Sequence, residues 1–340
     1  MLEIDGSHGE GGGQTLRTAV AVAAATGKDI HIMNIRARRQ TPGLAAQHSA
    51  AVDCVAKMCS ARVEGNKVGS KELTFKPSAV KGGSYQVDVG TAGSIPLVLQ
   101  AGILAAAFAD GEVTLTVTGG TDVRKAPSMD YLRFVTARML SKVALSVALE
   151  VKKRGYYPRG GGEVVAKIQP ASLAPFKVEG PGRLLNIKGN VHVANLPADI
   201  LKRMKTSALA ELKSYPAKTS CDEETAEGVG EGTGITLYCE TEYSILGASA
   251  LGERGLRAEN VGAVAGRELA AELKAGASLD VHMADQMSPY LALGKGGSFT
   301  IKEVTSHQET VMWLMNLMTG ATFKTEKKYG LQRVECSVPK

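Results

Sequence analysis

Four clusters of polar side chains in this chain could do chemistry. The first is Glu10-Gly11-Gly12-Gly13-Gln14, with Arg17 shortly after it. Consecutive glycines ahead of a helix leave backbone N–H groups free to meet an anion. No G-x-G-x-x-G and no Gly-Lys-Ser/Thr is present here, so neither a dinucleotide fingerprint nor a Walker loop fits. A carboxylate beside a bound anion is repelled unless a divalent cation lies between them. That makes Glu10 a candidate magnesium contact. A tight turn needed only for packing is the competing explanation. The second cluster is Arg36-Ala37-Arg38-Arg39-Gln40, leading into a segment with Gln47 and His48. Guanidinium forks bind phosphate bidentately, and a helix N-terminus adds partial positive charge. A solvated basic face is the alternative. The third is Ser306-His307-Gln308-Glu309, an S-x-x-E capping box that opens an apolar helix. It predicts His307 at the first helical position. The helix dipole there disfavours imidazolium, so the ring stays neutral and nucleophilic near pH 7. The same dipole would stabilise a phosphoryl group attached to the ring. A solvent-facing histidine in a first turn is the bland alternative. The fourth is His282-Met283-Ala284-Asp285-Gln286, read as leaving a strand and entering a helix. Together these clusters point to a phosphate-bearing anionic substrate, a divalent metal and a histidine nucleophile. They do not name a reaction.

The elements that must position these groups recur along the chain. Leu2–Asp5 reads as a strand, Gly9–Gly13 as a turn and Gln14–Ala25 as a helix of small residues. A strand follows at 30–35. A helix is predicted from Thr41-Pro42-Gly43 to Met58, with Thr41 as its cap and Pro42 at its first position. Strands near 61–63 and 72–77 close this unit. The same order returns as a strand at 85–89, a glycine turn at 90–94 and an apolar helix at 95–109. It continues with a strand at 113–118, a helix from Ala126-Pro127-Ser128 to Val143, and strands at 146–153 and 162–168. A third unit is predicted as a strand at Ser278–Met283, a helix at 285–293, a strand at 299–304, a helix at 306–318 and two final strands. The expected fold class is α/β (α+β), with three β-α-β-α-β-β units around a pseudo-threefold axis. Residues 184–276 fall outside the repeat and read as a small inserted α/β domain, with a loop at 222–234 rich in glycine and acid. The expected division is therefore a discontinuous domain, 1–183 plus 277–340 (repeats 1–80, 81–183 and 277–340), interrupted by 184–276.

Composition narrows the class. Of 340 residues, 44% are hydrophobic and 22% charged, which excludes disorder, collagen and a simple coiled coil. Mean hydropathy is −0.04, and the longest apolar stretch, 95–109, is too short for a membrane span. Residues 1–5 have no basic region and read as a strand, not a signal peptide. A net charge of +6 permits an anionic partner without demanding one. The five cysteines are odd in number and lack C-x-x-C spacing, which argues against structural zinc and a disulfide framework. A reducing, cytoplasmic setting is the default. Oligomeric state is open, and a homo-oligomer is compatible with the sequence.

The ordered motifs carry a resemblance. Gly9–Gln14 with Leu16-Arg17 resembles the signature of RNA 3′-terminal phosphate cyclases. So do Arg36–Arg39 with Pro42-Gly43-Leu44 and Gln47-His48, the turns 90–94 and 119–122, the run 155–162, and Ala284-Asp285-Gln286. The match covers essentially the whole chain. It implies three β-α-β-α-β-β repeats with an inserted domain. It also implies ATP-dependent conversion of an RNA 3′-phosphate end to a 2′,3′-cyclic phosphate, with Mg2+ or Mn2+. In that family a histidine is adenylylated by ATP, AMP passes to the RNA 3′-phosphate, and the ribose 2′-OH expels it. Carried over by position, His307 matches the nucleophile. Glu10, Arg17, Arg36, Arg39 and Gln47 match polar active-site residues. Gln100 and His282, Met283, Ala284, Asp285 and Gln286 match nucleotide-binding positions. The family often has tyrosine where this chain has His282, which leaves nucleotide affinity and base preference open. Non-catalytic relatives that act in ribosomal RNA processing lack the histidine. Enolpyruvyl transferases share repeated α/β units and a turn like 90–94, but lack the capped histidine and normally comprise six units. A plain RNA-binding module is the non-enzyme alternative, and the 5% aromatic content argues against it.

Overall fold

In a computed structural model, which describes residues 1–339, the chain opens with the parallel strands Leu2–Asp5 (β1) and Ile30–Met33 (β2). Helix α1, Gly13–Thr26, crosses between them. Its small buried residues, Ala19, Ala21, Ala23 and Ala24, let it pack close to its neighbours. Gly27, at φ 68°, ends it in the left-handed conformation. Helix α2, Ala46–Cys59, and strands β3, Arg62–Glu64, and β4, Leu73–Lys76, complete a sheet of order β1-β2-β4-β3.

The next stretch contains β5 (Gly83–Asp88), α3 (Ile95–Ala106) and β6 (Val113–Gly119). Ser94 caps α3, and Pro96 sits in its first turn. Then come α4 (Met129–Tyr131), a π-helical turn over Leu132–Thr136, α5 (Ala137–Leu140), β7 (Ser146–Lys153) and β8 (Gly162–Gln169). The sheet order is β5-β6-β8-β7. In both sheets the first pair is parallel and the other two pairs are antiparallel.

A short strand β9, Phe176–Val178, precedes a separate unit. That unit holds β10 (Leu184–Ala194), α6 (Asp199–Ala210), β11 (Lys218–Thr219) and β12 (Asp222–Ala226). It continues with β13 (Gly232–Thr241), β14 (Ile245–Leu251) and α7 (Ala258–Ala275), and has its own hydrophobic core. The chain closes with α8 (Val281–Leu293), β15 (Gly297–Ile301), α9 (Ser306–Thr319), β16 (Thr322–Lys328) and β17 (Leu331–Ser337). Its sheet, β9-β15-β17-β16, has the same order of senses as the first two. Helix α1 packs on α2, α3 and α9, and α8 packs on α9, so helices from the three sheets share one core.

Three sequence expectations need correction. Ser278–Met283 is not a strand. Asp280 caps α8 instead, its Oδ1 accepting from the backbone N–H groups of His282 and Met283, and β9 fills the place beside β15. The second helix does not begin at Thr41. Residues 34–45 are turns held by Gly43 N–H to Ile35 O and Leu44 N–H to Ser70 O, and Gly43 takes φ 84°. These bonds hold the backbone out of helical geometry until Ala46. The acidic loop at 222–234 contains β12, which pairs in parallel with β10.

Arg154, 1% exposed, ties the separate unit to the second sheet. It bonds Asp122, Asp130 and, from β12, Glu224. Among the described residues no helix is long and apolar enough to cross a membrane.

Candidate active site

The glycine turn ahead of α1 is a backbone platform. Gly11 has φ 59°, and a Cβ there would stand 2.7 Å from Arg38 Cγ. A Cβ on Gly13 would run into the His48 ring. Glycine at these positions therefore lets the Arg38 side chain and the His48 ring close on the start of α1. Arg38 donates to Gly9 O at 2.7 Å. Glu10 forms an ion pair with Arg39, and its backbone N–H donates to Thr310 Oγ1 of α9 at 3.2 Å.

His307 enters from α9. The helix is capped by Thr305, whose Oγ1 accepts from Gln308 N–H at 3.1 Å. The cap is thus one residue earlier than predicted, and His307 is the second helical residue. Its Nδ1 lies 2.7 Å from Gln14 Oε1 and 2.8 Å from Glu10 Oε2. A ring nitrogen facing two acceptors carries the hydrogen, so Nε2 keeps its lone pair. The Gln14 amide also donates from Nε2 to Asp285 Oδ2 at 3.0 Å, which fixes the orientation of the amide. Gln14 thereby joins the histidine of α9 to the carboxylate of α8.

The field around these groups is strongly positive. Burial, reinforced by Arg17, Arg36 and Arg39, pushes His48 down to about 3. Burial also lowers Arg17, to about 10, and Arg36. Arg36 spends one guanidinium nitrogen on Gly43 O at 2.6 Å. His307 falls below the ordinary imidazole value because of burial, opposed by Asp285 and reinforced by Arg39 and Arg17. Burial raises Asp285 to about 6 against the pull of His307 and His282.

The remaining sequence candidates separate. Gln47 Oε1 accepts from Ser94 N–H at 3.0 Å, linking α2 to the turn before α3. Gln100 lines a narrow cavity of about 50 Å³ together with Gln14, Arg17, Asp285 and Gln286. Gln286 accepts from Thr136 in the π-helical turn at 3.0 Å. His282 is exposed, with its ring edge-on to Tyr131 at 6.3 Å. Met283 and Ala284 are buried in the core, so their side chains are not presented to the site. Sequence reasoning missed Gln14 as a site residue, although its place in the first turn of α1 aims it back toward the glycines. His48 stands in the second cluster and in the family motif without a role of its own there, and Thr310, which is buried, carries no separate signal in the sequence.

Glu10 is already engaged by Arg39 and His307, and no three His, Cys, Asp or Glu side chains gather to hold a metal among the described residues. A divalent ion here would take one oxygen from Glu10 and the rest from phosphate and water, which is the habit of Mg2+.

A neutral imidazole with a free Nε2, at a helix N-terminus among three arginines, is equipped for phosphoryl or nucleotidyl transfer. Comparison with known proteins narrows the class. Residues 8–325 match the family described as RNA 3′-terminal phosphate cyclase. The chain is 46% identical over 338 residues to the RNA 3′-terminal phosphate cyclase of Nitrosospira multiformis, covering 98% of this chain and 96% of the relative. It is 44% identical over 337 residues to that of Methanosarcina barkeri, covering 99% and 100%. It is 41% identical over 331 residues to that of Pyrococcus furiosus, covering 97% and 96%. The chain belongs to the RNA 3′-terminal phosphate cyclase family.

Proposed function

We propose that this chain converts the 3′-terminal phosphate of RNA to a 2′,3′-cyclic phosphate at the expense of ATP. His307 Nε2 attacks the α-phosphorus of ATP, the bond to the β-phosphate oxygen breaks, and pyrophosphate leaves. The ring becomes positively charged on forming the N–P bond, and Glu10 and Gln14 at Nδ1 stabilise that charge. An oxygen of the RNA 3′-phosphate then attacks the same phosphorus and breaks the N–P bond. The ribose 2′-OH attacks the RNA phosphorus, loses its proton to solvent and expels AMP. Activation is needed because a phosphate monoester lacks a good leaving group, whereas AMP leaves readily.

The hold on His307 Nδ1 carries this reading. Arg17, Arg36 and Arg39 neutralise phosphate charge, and Gln100, Asp285 and Gln286 border the adenosine side. Gln47 serves the RNA end, beside the turn it binds. Mg2+ or Mn2+ at Glu10 would polarise the phosphates of ATP. The shared order of the three sheets supports a threefold repeat interrupted by residues 184–276, with β9 as the first strand of the third unit. Five buried, free cysteines suit a reducing cytoplasm.

Incubation with ATP labelled at the α-phosphate tests the central step. The expected product is an acid-labile AMP adduct on the protein, absent from His307→Ala although that variant folds. Normal labelling of the variant would remove His307 from the mechanism.

A further inference from the structure

The RNA 3′ end is one nucleotide of a longer strand, and the remainder must leave the site over some surface. A continuous track runs outward from Gln47. Ser94, held by Gln47, is bridged to Gly120, and Asp122 two residues on is bridged to Tyr156. A Cβ on Gly160 would stand 2.9 Å from Ala92 Cα, so the 155–161 loop lies directly against the 90–94 turn. The loop is anchored from below. Tyr156 is buried, its hydroxyl 2.7 Å from His192 Nδ1, and Arg154 is locked by three carboxylates. Arg159 is fixed by donating to Val229 O at 3.0 Å.

On that fixed base Tyr157 points outward, 77% exposed. Nothing in the packing accounts for an aromatic ring presented this way beside the site. Arg124 and Lys125, in the neighbouring 123–127 segment, and Arg159 are exposed too, and neither segment contains an exposed carboxylate. Glu253 pairs with Arg124, and the exposed Glu227 and Glu231 flank Val229 on the separate unit. The cationic surface is therefore bounded on that unit's side and open toward the 90–94 turn. An aromatic face flanked by cations is the physical form of a single-stranded nucleic-acid contact. Stacking holds a base without regard to sequence, while the cations meet phosphates. The low overall aromatic content is no obstacle, because one ring suffices for one base.

We infer that Tyr157 stacks on a base upstream of the RNA 3′ end, with Lys125 and Arg159 meeting the flanking phosphates. This inference rests on the proposed RNA substrate, and it adds a subsite that favours strands over short ends.

The test uses the full-length protein and two 3′-phosphorylated RNAs, a dinucleotide and a strand of roughly ten nucleotides. Binding is followed by fluorescence anisotropy and cyclisation by product analysis. Tyr157→Ala is expected to weaken binding of the longer RNA, and to raise its KM, by roughly 5- to 100-fold. Adenylylation by ATP and cyclisation of the dinucleotide should stay at the parent level, and Tyr157→Phe should restore the longer RNA. Lys125→Gln should flatten the salt dependence of binding by about one phosphate contact. Equal loss on both RNAs, or no loss on the longer one, would overturn the subsite. Tyr157-dependent binding in a parent that forms no AMP adduct and no cyclic phosphate would uphold the subsite and overturn the catalytic reading instead.

Discussion

Gln14 is the residue on which His307 and Asp285, the groups of the proposed mechanism, converge. It is one of two acceptors at His307 Nδ1 and the donor to Asp285. Gln14→Ala should leave the imidazole free to rotate and slow single-turnover adenylylation by about 10²-fold, as expected for a misplaced reacting group. Quenched-flow labelling would measure this, and an unchanged rate would show that Glu10 alone orients the ring. Arg39 acts through charge. It helps to hold His307 below the ordinary imidazole value, and it neutralises Glu10. In the proposed mechanism the attacking ring must be neutral, so activity should be lost as pH falls through the folded-state value of His307. Arg39→Ala removes a depressing charge and frees Glu10 to favour imidazolium, and both effects raise that value. The acid limb of the adenylylation profile should therefore move to higher pH, on top of a fall in rate of roughly 10²-fold. An unmoved limb would mean that Arg39 serves only the phosphates.

At the scale of the element, the glycine turn and two helix starts set the geometry. Gly13→Ala would drive a methyl group into the His48 ring, an overpacking expected to cost about 1–3 kcal/mol and to displace Arg17 with it. Denaturant melts and ATP labelling should fall together, whereas a stable, active variant would show that His48 has room to move. Thr305→Ala removes the cap of α9 and should cost about 1 kcal/mol by the same melts. Much of this was legible in advance. Glycine runs, apolar periodicity and a polar cap are local signals, and they predicted α1, α3, α9 and most strands within a few residues. The failures came where a distant partner decides. Thr41-Pro42 looks like a helix start, but Gly43 and Leu44 are captured by Ile35 and Ser70. Ser278–Met283 alternates like a strand, yet the Asp280 carboxylate satisfies the first N–H groups of a helix. The candidate site was legible as types of residue and not as contacts. Met283 and Ala284 share a motif with Asp285 but face the core, because a helix turns successive side chains to different sides.

At the scale of the molecule, the separate unit is fastened through a buried ionic cluster. Arg154 answers Asp122 from the turn after β6, Asp130 from α4 and Glu224 from β12. Burial would raise Glu224, but its bonds to Arg154 and Asn190 hold it down to about 2. A carboxylate depressed in this way adds stability above its unfolded value, near 4.5, and that contribution is lost as pH falls toward about 2. Acid melts should show the loss in this window. Arg154→Ala should cost about 3–5 kcal/mol, since it leaves carboxylates buried without their partner. A variant within 1 kcal/mol of the parent would mean that water or a proton replaces the guanidinium.

The position of β9 has a consequence for synthesis. During translation the first two sheets can close as they emerge, because all their strands are made in succession. β9 emerges early, and its partner β15 is made only after everything from β10 to α8. A nascent chain must therefore carry β9 without its partner strand while a whole additional unit is being made. The same layout makes the protein divisible. Two polypeptides separated within the exposed loop between β14 and α7 would each hold one side of the β9–β15 seam. Neither half could finish the third sheet alone, so co-expressed halves should recover ATP labelling by annealing along that seam together with the faces where α7 packs on α6, β13 and β14 and where α1 packs on α9.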